Sequence, residues 1–280
     1  MKKIENTTLM IKRYNKPFLF YTLSIAIPWV LWFICAYFSH FTPNTKVWDW
    51  VTGIFGFLGL IAPLGVALSL ILPKEELRKD FLSRFFNFKK IKGEYILIAC
   101  FLMLLSLMAA QAISLFWGYG VEQFEWRGGF SFRSALFPVW FLLIAAPAVE
   151  ELAWHSYGTD SLVSRFNLFK ASLIFAVIWA IWHLPLSFIK DYYHSNLVES
   201  GFLYTINFVV SMFPFVIIMN WLYYKTDRNI ILPIIFHITA GFFNEIFMTH
   251  PMSKVIQTGL LLIVCVFLLI KDKELFFNTL

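Results

Sequence analysis

An all-α, polytopic membrane helical bundle of about eight transmembrane helices, with both termini cytoplasmic, is the fold this sequence predicts. Hydrophobic residues fill 59% of its 280 positions and charged residues only 14%, too little polar surface to cover a water-soluble globule. The apolar residues fall in blocks of roughly 20, the length a helix needs to cross about 30 Å of hydrocarbon at about 1.5 Å per residue. Lys and Arg are also unevenly shared: 18 lie in the tails and alternate connections, against five in the connections between them. Basic residues are retained on the cytoplasmic side, which places both termini there.

The first block, 17–39, follows a tail bearing Lys2, Lys3, Lys12, Arg13 and Lys16. It exceeds the apolar core of a signal peptide, about 7–15 residues, and reads as a retained span. A second block covers 50–72. The connection 73–94 interleaves seven Lys and Arg, Lys89 and Lys90 among them, with Leu77, Phe81, Leu82, Phe85, Phe86 and Phe88. That pattern predicts an amphipathic helix lying on anionic headgroups. Blocks at 95–117, 134–154, 171–190, 203–224 and 230–249 follow, and a shorter one at 256–270 closes the series. None shows the alternating ten-residue pattern of an outer-membrane barrel. The organisation expected is an N-terminal tail and three spans over 1–133, a four-span core over 134–250, and a last span with its tail over 251–280.

Net charge of +6 belongs to this orientation signal and gives no reason to expect a nucleic-acid partner. Cys35, Cys100 and Cys265 lie in separate blocks, which excludes a disulfide framework and a C-x-x-C metal site. No H-E-x-x-H, G-x-S-x-G or glycine-rich phosphate loop occurs.

An ionisable side chain inside an apolar span costs several kcal/mol unless paired or wet, so each one needs a reason. Block 134–154 ends in Glu150-Glu151-Leu-Ala-Trp-His155; block 171–190 holds Trp179, Trp182 and His183; block 230–249 holds His237 and Asn244. Paired buried carboxylates push one another toward protonation, the setting of a general base near neutral pH. His155, four residues after Glu151, shares its helical face and can orient it. Glu150, Glu151, His183 and His237 together suit water attack on an amide, with a carboxylate as base and imidazoles holding water or oxyanion. Glu151, His183 and His237 could instead ligate zinc, whose bound water would then attack. The sequence leaves both schemes open. A proton-coupled transporter is the weaker alternative, since no inverted repeat is visible. His40, His194 and His250 fall in external loops and are expected to be solvated.

At these three segments the chain resembles the CPBP family of intramembrane proteases, which includes CAAX prenyl endopeptidases and bacteriocin-processing or self-immunity proteins. That family carries E-E-x-x-x-R, F-x-x-x-H and H-x-x-x-N, each in an apolar helix. Here Glu150-Glu151 through His155, Trp179 through His183, and His237 through Gly241 stand in those places. The resemblance implies an intramembrane peptidase, with Glu150 activating water and Glu151, His183 and His237 as partners. It also implies a membrane-anchored peptide or protein substrate, prenylated or carrying a leader, and a cavity opening toward the cytoplasm, here of a bacterial cytoplasmic membrane. His155 replaces the family arginine, Trp179 the phenylalanine and Gly241 the asparagine. Glycine donates no side-chain hydrogen bond, so Asn244, one turn later, is the expected substitute donor. Loss of the arginine and asparagine also leaves open a catalytically impaired scaffold, bacteriocin-immunity or regulatory protein.

Overall fold

The computed structural model describes residues 2–43, 45–88, 91–134 and 136–278, with side chains from Thr7 onward. Lys89 and Lys90, and the side chains of Lys2 and Lys3, lie outside the described residues. Helices α1 (Lys2–Ile11), α2 (Pro17–Ser39), α3 (Lys46–Ile71), α4 (Glu75–Phe85) and α5 (Gly93–Ser114) form the first part of the chain. Then come α6 (Val139–Ala153), α7 (Thr159–Val163), α8 (Leu168–His183), α9 (Tyr193–Ser200), α10 (Phe202–Lys225), α11 (Ile231–Ile246), α12 (Pro251–Lys271) and α13 (Lys273–Phe277). Among the described residues there is no strand, only an isolated bridge between Trp126 and Phe247.

Six helices are long and apolar enough to cross a membrane: α2, α3, α5, α8, α10 and α12. The shortest block, 256–270, is the 21-residue α12, because His250 caps its first turn and Pro251 takes the opening position, where a missing N–H costs nothing. The blocks at 134–154 and 230–249 are the shorter helices α6, 15 residues, and α11, 16 residues. α6 does not stop at Ala153. It widens into a π-turn over Trp154–Gly158 and continues as α7. A π-turn leaves carbonyls misaligned for the regular ladder and is frequent at functional sites; here two of the carbonyls are taken up from outside.

Arg84, on α4, takes them: Nη1 donates to His155 O at 2.9 Å and Nη2 to Ser156 O at 2.8 Å. The same guanidinium reaches Asp160 Oδ2 at 2.9 Å and Tyr14 Oη at 2.7 Å. Arg228, just before α11, pairs with Asp160 and lies 2.9–3.0 Å from both oxygens of Asp80. Burial alone would raise the Asp80 carboxyl, but Arg84 and Arg228 beside it hold it below the usual carboxylate range. α4 was expected to rest wholly on headgroups. Its Leu82 and neighbouring Phe86 and Phe88 are exposed, but Arg84 is buried, drawn in by two carboxylates and the π-turn.

This network, with α1, seals one end of the bundle. α1 packs on α7, and Asn167 at the start of α8 donates to Phe277 O of α13, so both termini lie at that sealed end. The opposite end is built from the loops after α2, α5 and α8 and the turn before α12.

On the flank, Trp32 of α2 donates to Gly56 O of α3 at 3.0 Å. A Cβ at Gly59 would lie 2.2 Å from the Trp32 indole nitrogen, so glycine there is what lets the indole lie against α3. Trp32 in turn packs edge-on against Trp182, with centroids 4.6 Å apart, and holds the face of α8 that carries His183.

Candidate active site

Glu150 and Glu151 are neighbours in sequence but have different surroundings. Glu151 is fully buried and spends both oxygens on imidazoles: Oε2 lies 2.5 Å from His155 Nδ1 and Oε1 lies 2.7 Å from His237 Nδ1. Glu150 Oε2 accepts from the Trp179 indole N–H at 3.1 Å, and its side chain lines two cavities. The helical turn sets this difference: adjacent residues point about 100° apart, so one carboxylate faces α10 and α11 while the other faces α8.

A buried hydrogen-bond chain surrounds His155. Ser172 Oγ gives its proton to Leu168 O at 2.8 Å, so it accepts from Asn220 Nδ2, also at 2.8 Å. Asn220 Oδ1 then faces His155 Nε2 at 3.0 Å, and that nitrogen must carry a hydrogen. Its Nδ1 lies against Glu151 Oε2, so the ring bridges a carboxylate and an amide inside a fully buried set. His155 thus stands in the place of the motif's arginine and pairs with Glu151. Asn220 and Ser172, which sequence reasoning missed, orient it. The available signal was an asparagine in the apolar run of block 203–224.

His183 donates from Nδ1 to Trp179 O at 2.8 Å, which leaves Nε2 as the acceptor of a neutral ring. His237 stands edge-on to Trp179 with centroids 5.2 Å apart. Trp179, one turn before His183, is thus what brings α8 to the level of Glu150, although helix counting alone places His183 deeper.

Two cavities meet here. One, about 290 Å³, runs among α5, α10, α11 and α12; the other, about 450 Å³, lies against α2 and α3. Both are lined by Glu150, His183, Tyr192 and His194. Their outer walls, Tyr193 and Lys254 for the first and Phe41, Arg133 and Lys190 for the second, belong to the end opposite the termini. The Arg84 network and α1 lie at the end that carries the termini, away from these walls.

The family model for Type II CAAX prenyl endopeptidase Rce1-like matches residues 132–243. CAAX prenyl protease 2 of Methanococcus maripaludis is 35% identical over 270 residues, covering 96% of this chain and 98% of that protein. The chain belongs to the CAAX prenyl endopeptidase family. It is a multi-pass membrane peptidase. An S-type anion channel of Arabidopsis thaliana is 40% identical over 80 residues, but the match is confined to 22% of this chain and 21% of that protein.

Of the three side chains that could ligate zinc, Glu151 and His237 are bonded to each other. Glu151 is saturated by two histidines, and no group of three His, Cys, Asp or Glu side chains able to hold a metal occurs among the described residues. Asn244, the expected substitute donor, has one of its amide hydrogens engaged. It gives its amide to Tyr193 Oη at 3.1 Å, and seven residues of helix place it about 10 Å along the axis from His237. Nor are the three remaining histidines alike. His40 reaches Phe188 O and His250 caps α12, whereas His194 turns inward, stacking on His183 at 5.0 Å. Both His194 ring nitrogens are shielded from solvent and have no hydrogen-bond partner, a state that costs about 1–3 kcal/mol per buried polar group. Burial, with a smaller contribution from His183, pushes its basicity well below the ordinary histidine value and keeps the ring neutral. Nothing in the sequence around it, a Tyr-Tyr-His in a loop, signals this.

Proposed function

We propose that this protein hydrolyses a peptide bond near the C-terminus of a prenylated, membrane-associated protein, with Glu150 as the base that activates water. The observation that carries the reading is the unequal commitment of the two carboxylates. Glu151 has both oxygens engaged by histidines, whereas Glu150 has one oxygen tied to Trp179 and lines both cavities.

A CAAX substrate ends in a prenylated cysteine followed by three residues. Its lipid can lie among the apolar walls of Met103, Leu107, Phe215 and Leu261, while its peptide crosses Glu150. A water between Glu150 and His183 Nε2 meets two acceptors, one for each of its protons. Glu150 removes one proton as the oxygen attacks the scissile carbonyl, and returns it to the leaving amine.

Two buried carboxylates need two compensating charges, which protonated His155 and His237 provide. His237 then has an Nε2–H to present to the oxyanion, while Glu151 holds its other side. Glu151 and His155 thus act by positioning His237, and Trp179 by positioning Glu150.

The test is Glu150→Gln, which can still accept from Trp179 but cannot take a proton. With a prenylated CAAX peptide and purified protein, turnover should fall at least about 10³-fold while the thermal midpoint stays within a few degrees of the parent. Parent-like turnover would overturn the assignment of the base. A scaffold, bacteriocin-immunity or regulatory role is the reading left standing if a Glu150→Gln strain also keeps the parent phenotype in cells.

A further inference from the structure

Counting donors and acceptors around Glu150 exposes a shortage. Acceptors are plentiful: the free oxygen of Glu150 and Nε2 of His183. On the donor side, position 241 is glycine, and Asn244 has turned to Tyr193. His237 is left as the one donor so far assigned to a developing oxyanion, where amide hydrolysis generally employs more than one.

Three buried donors near this point lack partners: Trp154 Nε1, Trp182 Nε1 and the His194 ring. The Trp154 indole is fully buried among Phe20, Tyr21, Phe175 and Trp182, lines neither cavity and is close enough to interact with the Glu150 carboxylate. Trp182 lines only the cavity against α2 and α3. His194 alone of the three lines both cavities, and it does so beside Glu150 and His183.

We infer that His194 is a substrate-contacting residue of this site, whose ring N–H donates to the carbonyl oxygen of the scissile peptide and to the oxyanion formed from it. The inference rests on the peptidase reading above and deepens it by naming a second oxyanion donor. A phenylalanine would stack on His183, Tyr192 and Phe208 as well as this imidazole does, without leaving two ring nitrogens unsatisfied. Packing therefore does not account for a histidine here, whereas a ligand that arrives with an oxygen does. Gly241 also has room for more than hydrogen. A Cβ there would meet Leu143 Cδ2 at 3.7 Å, ordinary van der Waals contact, so the missing amide can be restored by substitution.

The experiment measures binding, so it does not depend on turnover. In a Glu150→Gln background, two prenylated CAAX peptides are titrated: one with its scissile amide intact, one with that amide replaced by a phosphinate that mimics the tetrahedral oxyanion. The background protein should prefer the phosphinate by at least about 10², as transition-state analogues are preferred. His194→Phe, which keeps the stacking and removes the donor, should erase roughly 10² of that preference with amide-peptide affinity little changed. His194→Gln should keep most of it, and Gly241→Asn added to His194→Phe should restore part. An unchanged preference in His194→Phe, or an equal loss in His194→Gln and His194→Phe, overturns the donor role alone. Absence of binding by either peptide in every background overturns the substrate reading and this inference together.

Discussion

The bundle buries two polar clusters, and they are satisfied to different degrees. At the sealed end Arg84, Arg228, Asp80, Asp160, Tyr14, Tyr223 and Tyr224 are cross-bonded, with Asp160 alone accepting from two guanidiniums and two phenols. In the middle, the Glu151–His155–Asn220–Ser172 chain is equally saturated, yet one step outward Glu150, His183 and His194 line a cavity, and both His194 ring nitrogens lack a partner. Saturated burial costs least and holds shape. Open valences are costly unless something arrives to fill them, so where both kinds occur in one molecule the open ones mark where a substrate fits.

That comparison breaks first on stability. Removing one partner of a buried ion pair strands the other, at about 3–5 kcal/mol. Asp160→Leu should therefore lower the thermal midpoint of the detergent-solubilised protein more than any substitution at Glu150, His183 or His194. An Asp160→Leu protein as stable as the parent would mean that the sealed end contributes no net stability.

A sharper contrast lies at His155, which belongs to the saturated chain but serves the open site. If its charge matters, turnover should rank parent, then His155→Arg, then His155→Leu, with Leu at least ten-fold below Arg. If it only fills space, the order of the two variants should reverse, because leucine is nearer to histidine in volume.

The smallest expected effect concerns acid. The Asp80 carboxyl is held below its unfolded value of about 4 by Arg84 and Arg228. It therefore contributes stability that is fully present above about pH 4 and fades as pH falls through the lower folded value. Parent and Asp80→Asn proteins should differ in thermal midpoint at pH 6 and converge as pH is lowered toward 3. A gap independent of pH would remove the ionic explanation.

Much of this was legible beforehand because lipid makes charge conspicuous. Glu150, Glu151, His183 and His237 each interrupt an apolar block, and each does lie in or beside the cluster. Arg84 and Arg228 were counted only among the basic residues of the connections, since sequence cannot distinguish a guanidinium in water from one folded back onto a π-turn. His194 was read as solvated because a loop histidine carries no periodicity. Asn244 looked like a spare donor until the register of α11 and the Tyr193 hydroxyl claimed it.

Thermal midpoint and turnover of a prenylated CAAX peptide, measured side by side on Glu150→Gln and Asp160→Leu, test the account most directly. Glu150→Gln should unfold with the parent and cleave nothing measurable, while Asp160→Leu, assayed below its lowered midpoint, should still cleave. A Glu150→Gln protein that cleaves like the parent, or one that loses stability as severely as Asp160→Leu, would contradict the division into a saturated scaffold and an open site.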